Sequence, residues 1–163
     1  MNGNDLILRF TRLSPERYRF EHRLADGTGE VFDLEGEAEL FHDLLHFAVE
    51  SEAGLQGSFY GLLAKIGGYA ELAIAGGQAL GGEMAVTGRV VEALAEALRE
   101  DGLDDEAFAD QAAANLGFSG ERPPRWFTPD FALRVRRRVA DLAGRWLATP
   151  VGGTMELSFT LTR

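Results

Sequence analysis

The residues best suited to chemistry lie close together in one segment of the chain. His42 and His46 are four positions apart, Asp43 lies between them, and Glu50 follows four positions later. In a helix, side chains at this spacing lie on adjacent turns of one face, where two imidazoles can bind one ion and Glu50 extends the row. The spacing therefore predicts a metal site formed by His42, Asp43, His46 and Glu50.

A further ligand is expected from another element, because one helical face rarely supplies a complete set. Glu83 is the candidate, since it precedes Thr87 and Val91 in the first turn of a predicted helix, on the side expected to be buried. A carboxylate there serves either the helix dipole or an inward-facing site. The chain contains no cysteine, so nitrogen and oxygen would hold a divalent metal such as zinc, iron or manganese. Open coordination positions would permit chemistry by a metal-bound water, although no residue indicates a substrate.

The same row of side chains has a second interpretation. It lies opposite the apolar residues of the predicted helix, Phe41, Leu44, Leu45 and Ala48. A polar row in that position is also typical of a solvated or interacting helix face. The metalloprotease motif would need Glu in place of Asp43. The alternative function is therefore a non-enzymatic module that binds a protein or a small molecule.

The His42-Asp43-x-x-His46 core resembles the metal-binding motif of the ubiquinone-biosynthesis accessory family. That resemblance implies zinc ligation by both histidines, by Asp43 and by a later glutamate, at whose position this chain has Ser58. The stretch from His42 to Glu50, with Gly57 to Leu63 after it, also resembles a family of small uncharacterised bacterial proteins. This second resemblance implies no activity.

Arginines form a second candidate surface on the last predicted helix. They are Arg134, Arg137, Arg138 and Arg145. Guanidinium groups bind carboxylates and phosphates, so this arginine stripe could recognise an anion or an acidic partner. The alternative is a solvated stripe in which Asp141 pairs with a neighbouring arginine.

Three other features have structural interpretations. The pairs Gly67-Gly68, Gly76-Gly77 and Gly81-Gly82 lack the lysine and hydroxyl residue of a phosphate-binding loop, and predict helix breaks or a flap over a pocket. His22 shares a strand face with aromatic residues, which predicts a hydrogen-bonded core or edge histidine. The aromatic pair Trp126-Phe127 is expected to fix its loop to the core.

Alternating apolar residues predict strands near both ends of the chain, and helical spacing dominates between them. The predicted strands are Leu6–Leu13, Tyr18–Leu24, Gly29–Leu34 and Met155–Leu161. The predicted helices cover 37–51, 59–66, 83–99, 105–114 and the segment between Thr128 and Thr149, and 69–75 is a candidate for one more short helix. The terminal strand needs a partner, so we expect one α+β domain over residues 1–163, with an antiparallel sheet of about four strands and about five helices.

Composition excludes some classes of function. The net charge of −10 repels phosphate backbones, so we expect no nucleic-acid partner. No apolar run approaches the roughly 18 residues of a membrane-spanning helix, and the first residues lack the pattern of a signal peptide. We therefore expect a cytoplasmic protein without a membrane partner.

Overall fold

The computed structural model describes residues 5–68, 72, 82–118, 120 and 122–162. Within these residues the strands are β1 (Asp5–Arg12), β2 (Arg17–Arg23), β3 (Gly29–Glu35) and β4 (Thr154–Thr160). The helices are α1 (Glu37–Ala53), α2 (Phe59–Ile66), α3 (Gly82–Leu98), α4 (Asp105–Gly117) and α5 (Pro129–Leu147). The predicted α+β fold is confirmed, with strands from both ends of the chain enclosing a helical middle.

The strands form one antiparallel sheet in the order β3-β2-β1-β4. β1 is central, and its Phe10 pairs with Phe20 of β2 on one side and with Met155 of β4 on the other. Alternate side chains of these strands are buried, as their period of two predicts. The predicted pairing of the C-terminal strand with the N-terminal meander is therefore confirmed.

α1 is buried on most sides because it belongs to two hydrophobic clusters. Leu44 and Phe47 pack with the sheet and α2, whereas Leu45 and Val49 pack with α3, α4 and α5. Phe41, whose place in the apolar row predicts a core position, is 36% exposed. A helix enclosed by a sheet and several other helices has no single apolar face, so the simple division into one apolar and one polar side is wrong for α1.

Side-chain caps set the beginnings of two predicted helices. Asp104 accepts a hydrogen bond from the N–H of Ala107 at 2.8 Å, and Thr128 accepts one from the N–H of Phe131 at 3.0 Å. Pro129 occupies the first helical position of α5, where its missing N–H leaves no bond unmade. Both starts agree with the prediction.

The glycine pairs are only partly within the described residues. Gly67 ends α2 with a φ of 83° and donates its N–H to the C=O of Leu63, so the break predicted there is confirmed. The helix predicted over 69–75, apart from the buried Leu72, lies outside the described residues, as do residues 76–77 and 81. In the part of the chain that is described, no helix is long and apolar enough to cross a membrane.

Candidate functional site

The two imidazoles of α1 lie side by side at a cleft. The ring centroids of His42 and His46 are 4.7 Å apart, and the ring planes meet at 68°. Both rings line a cleft of about 520 Å³ whose opposite wall, α3, contributes Glu92 and Glu96. The spacing of four residues thus brings the two histidines together. We call the cleft that they line the histidine cleft.

Glu50 contacts His46 from inside the protein. Its side chain is completely buried, with Oε2 3.1 Å from Nδ1 of His46 and Oε1 accepting a hydrogen bond from the N–H of Tyr60 at 2.9 Å. Burial raises the pKa of Glu50, and the contacts with His46 and Tyr60 oppose that rise. The expected open polar face is wrong at this position, because the first turn of α2 folds over this part of α1.

Asp43 is directed towards the sheet. Its Oδ2 accepts a long hydrogen bond of 3.5 Å from the hydroxyl of Tyr18 on β2. Burial raises the pKa of Asp43 to about 7, while the positive charge available on His46 acts in the opposite direction. Asp43 is therefore a partly buried carboxyl group that lies beside the histidines and does not continue their row of side chains.

Glu83 is exposed, although it was expected on the buried side of its helix. Its Oε1 accepts a hydrogen bond from the N–H of Gly57 at 3.3 Å, in the loop between α1 and α2. Glu83 lies in the first turn of α3, and its carboxylate is taken up by the loop between α1 and α2 instead of a buried cleft. Glu83 adds to the pKa rise of Glu50 through its charge, but Glu50 rather than Glu83 contacts a histidine.

The described residues contain no group of three or more His, Asp or Glu side chains placed to hold one metal ion. Glu92 also lines the histidine cleft, although the motif from His42 to Glu50 does not predict its approach to the histidines. Burial, together with the neighbouring His46, lowers the pKa of His42, and the charge of Glu92 opposes this change. The sequence feature that could have predicted the position of Glu92 is the spacing of four from Gly88 through Glu92 to Glu96, which places these residues on one stripe of α3.

The arginine stripe borders a groove of about 550 Å³ formed by α5, β4 and the end of α1. The basic residues of this groove are Arg134, Arg137, Arg138 and Arg145. Glu52 of α1 pairs with Arg134 at 3.1 Å and with Arg138 at 2.8 Å, which neutralises part of the positive charge. Arg145 donates to a main-chain carbonyl of β4, whereas Arg137 forms no ion pair within the described residues. The stripe is therefore a partly neutralised groove rather than a fully solvated face.

Three residues with predicted structural roles, His22, Trp126 and Phe127, occupy the expected surroundings. His22 is 2% exposed, and its Nε2 lies 3.3 Å from Oε2 of Glu30 on β3. The rings of Trp126 and Phe127 pack at steep angles against the ring of Phe131, with centroid distances of 5.1 and 6.0 Å. Both predictions are confirmed.

Comparison with protein-family models, with curated protein sequences and with solved structures found no match.

Proposed function

We propose that the protein binds a divalent cation through His42 and His46, with Glu50 as the carboxylate that orients His46. The observation that carries this proposal is the 3.1 Å contact between Nδ1 of His46 and the buried Oε2 of Glu50. Histidines that bind metals commonly donate the N–H of their second ring nitrogen to a carboxylate, which fixes the tautomer and the ring orientation. With the proton on Nδ1, the lone pair of Nε2 is left for a cation.

The position of Glu50 favours this orienting role over direct ligation. A buried carboxylate has few alternative partners, and the Tyr60 N–H already holds its other oxygen at 2.9 Å. The ring of His42, 4.7 Å away between centroids, would supply the second nitrogen ligand. Two nitrogen ligands on adjacent turns match a common pattern in helical metal sites.

The oxygen ligand would come from α3. Glu92 and Glu96 are exposed side chains on the opposite wall of the histidine cleft, so a rotamer change could bring either carboxylate to the cation. They replace Glu83 in the proposed ligand set, because Glu83 lies beyond the cleft beside Gly57. Water would occupy the remaining positions, and zinc, iron and manganese all accept such a ligand set. If the protein is an enzyme, the reacting group in this proposal is a water bound to the metal.

The test is metal binding by protein purified without an affinity tag. Elemental analysis would be followed by calorimetric titration of the EDTA-treated protein with zinc, with iron(II) under anaerobic conditions, and with manganese. We expect one ion per chain, and its loss in the His42→Ala and His46→Ala double variant. Glu50→Gln should weaken binding by about 10- to 100-fold, as expected for an orienting carboxylate.

The third histidine provides the matched control. His22→Gln removes an imidazole that contacts Glu30 outside the cleft, so it should leave the metal affinity unchanged once circular dichroism confirms folding. Equal binding by the wild type and the double variant, or no binding of any of the three metals, would overturn the proposal.

The arginine stripe supports a second candidate function, the binding of an acidic partner without catalysis. The supporting observation is Arg137, which borders the groove without an ion pair among the described residues, near the partly neutralised Arg134 and Arg138. An oligoglutamate peptide is a suitable probe. If this function holds, Arg137→Gln weakens peptide binding and the histidine double variant does not. An affinity that is the same for wild type and Arg137→Gln would exclude the groove.

A further inference from the structure

A second cleft, largely apolar, borders His42. It has a volume of about 460 Å³ and lies between α1, α3 and α5. Clefts of about 300–1,000 Å³ with apolar walls are typical of small-molecule sites. We infer that this apolar cleft binds a carboxylic acid with an apolar body, held at its rim by Arg99.

The walls of the cleft combine one rigid aromatic ring with small side chains. Trp146 is held in place by Arg12, whose guanidinium lies 4.4 Å from the ring centroid and donates to the Trp146 carbonyl at 2.7 Å. Ala95 of α3 and Ala143 of α5 line the same space, and their small side chains leave room between the helices. A ligand would therefore meet a largely preformed apolar surface rather than one it must order.

Two large apolar side chains remain open to solvent at this cleft. Phe41 is 36% exposed and Leu147 is 76% exposed. Exposed apolar groups around a concave surface commonly mark a ligand or interaction site. They explain the apolar body of the proposed ligand but not its charge.

The preference for a negatively charged ligand comes from the rim of the cleft. Arg99 lines the cleft, is exposed, and forms no ion pair within the described part of the chain. Glu37 lies at the same cleft but in the first turn of α1, where the helix N-terminus stabilises its negative charge. Arg99 is therefore a rim cation without an ion pair among the described residues, and a carboxylate is the natural partner of a guanidinium.

The fluorescence of Trp146 provides the assay. Trp126, the second tryptophan of the chain, is replaced in a Trp126→Phe background so that Trp146 alone reports on the cleft. Titration with decanoate, decanol and decylamine, all below micelle formation, separates the contribution of charge from that of the apolar body. We expect saturable binding in the order decanoate, decanol, decylamine, from tightest to weakest.

Two variants test the assigned contacts. Arg99→Gln should weaken decanoate roughly three- to tenfold and leave decanol unchanged, since only the charged contact is removed. Ala143→Phe should fill the cleft and abolish binding of both. Glu37→Gln, the matched rim control, should not weaken decanoate.

Several results would overturn the inference. They are tighter binding of decylamine than decanoate, equal decanoate affinity in wild type and Arg99→Gln, or a dimer in sedimentation analysis that excludes decanoate from the cleft. The inference does not rest on the proposed metal site, because decanoate should still bind to the His42→Ala and His46→Ala double variant. Loss of metal binding and loss of decanoate binding are therefore separate outcomes.

Discussion

Asp43 offers a quantitative test of how deeply α1 is buried. Its carboxyl group lies beside the sheet, where the long hydrogen bond from Tyr18 replaces little of the hydration that burial removes. We expect the variant Asp43→Asn to be more stable than the wild type at alkaline pH, because an amide of similar shape carries no charge that burial disfavours.

The magnitude follows from the pKa of Asp43, which burial raises from 3.8 to about 7. Between these values the folded protein keeps a proton that the unfolded chain has released, so the free energy of unfolding falls as the pH rises. The stabilisation by the proton is complete below the unfolded pKa and is lost as the pH passes through the folded pKa. Integration of this relation gives a loss of about 3 kcal/mol between pH 5 and pH 8 for Asp43 alone.

Urea unfolding followed by circular dichroism would measure both proteins from pH 5 to pH 8, with EDTA present to keep the neighbouring histidines free of metal. The stability advantage of Asp43→Asn should grow by about 3 kcal/mol across this range, since the other titrating groups are common to both proteins. Asp33→Asn is the control: Arg19 lowers the pKa of this exposed carboxylate through a hydrogen bond, so no gain is expected. An advantage that is the same at pH 5 and pH 8 would show that Asp43 is well hydrated and refute the reasoning.

Three further predictions concern packing and helix ends. Ser58→Ala should leave stability unchanged or slightly higher, because among the described residues the buried hydroxyl has no hydrogen-bond partner and makes no side-chain cap. Thr128→Ala should lower stability by about 1 kcal/mol because it removes a cap, and equal losses in urea unfolding would contradict this contrast. Gly61→Ala should lower stability by roughly 1–3 kcal/mol despite the better helix propensity of alanine, because its Cβ would lie 2.1 Å from a backbone carbonyl oxygen. Gly57→Ala should have a much smaller effect, because its Cβ would lie 2.6 Å from the movable end of the Glu83 side chain. A thermal midpoint lowered as much as in Gly61→Ala would count against this explanation. Tyr60→Phe removes a 2.8 Å hydrogen bond from the tyrosine hydroxyl to the main-chain carbonyl of Asp43 and should lower the free energy of unfolding by about 1 kcal/mol. A variant as stable as the wild type would refute this prediction.

Helices and strands were predictable where the residue pattern of the segment agrees with the way the segment packs in the folded protein. The strict alternation from Met155 to Leu161 predicts a strand because one face of the sheet is buried and the other is solvated. The caps at Asp104 and Thr128 predict helix starts because a short polar side chain satisfies a free N–H within a few residues. Such signals depend on neighbouring residues along the chain.

The sequence by itself determined the α+β order of elements, the pairing of the terminal strands and the approach of His42 to His46, which needs only the helical repeat. The tertiary structure alone decided that Glu50 is buried against His46, that Glu83 lies outside the histidine cleft and that Glu92 borders it. The reason is that a helical period gives a residue its angle around one axis, whereas burial depends on what packs on each side. α1 is covered by the sheet, by α2 and by α3, and no pattern within its own residues records those neighbours.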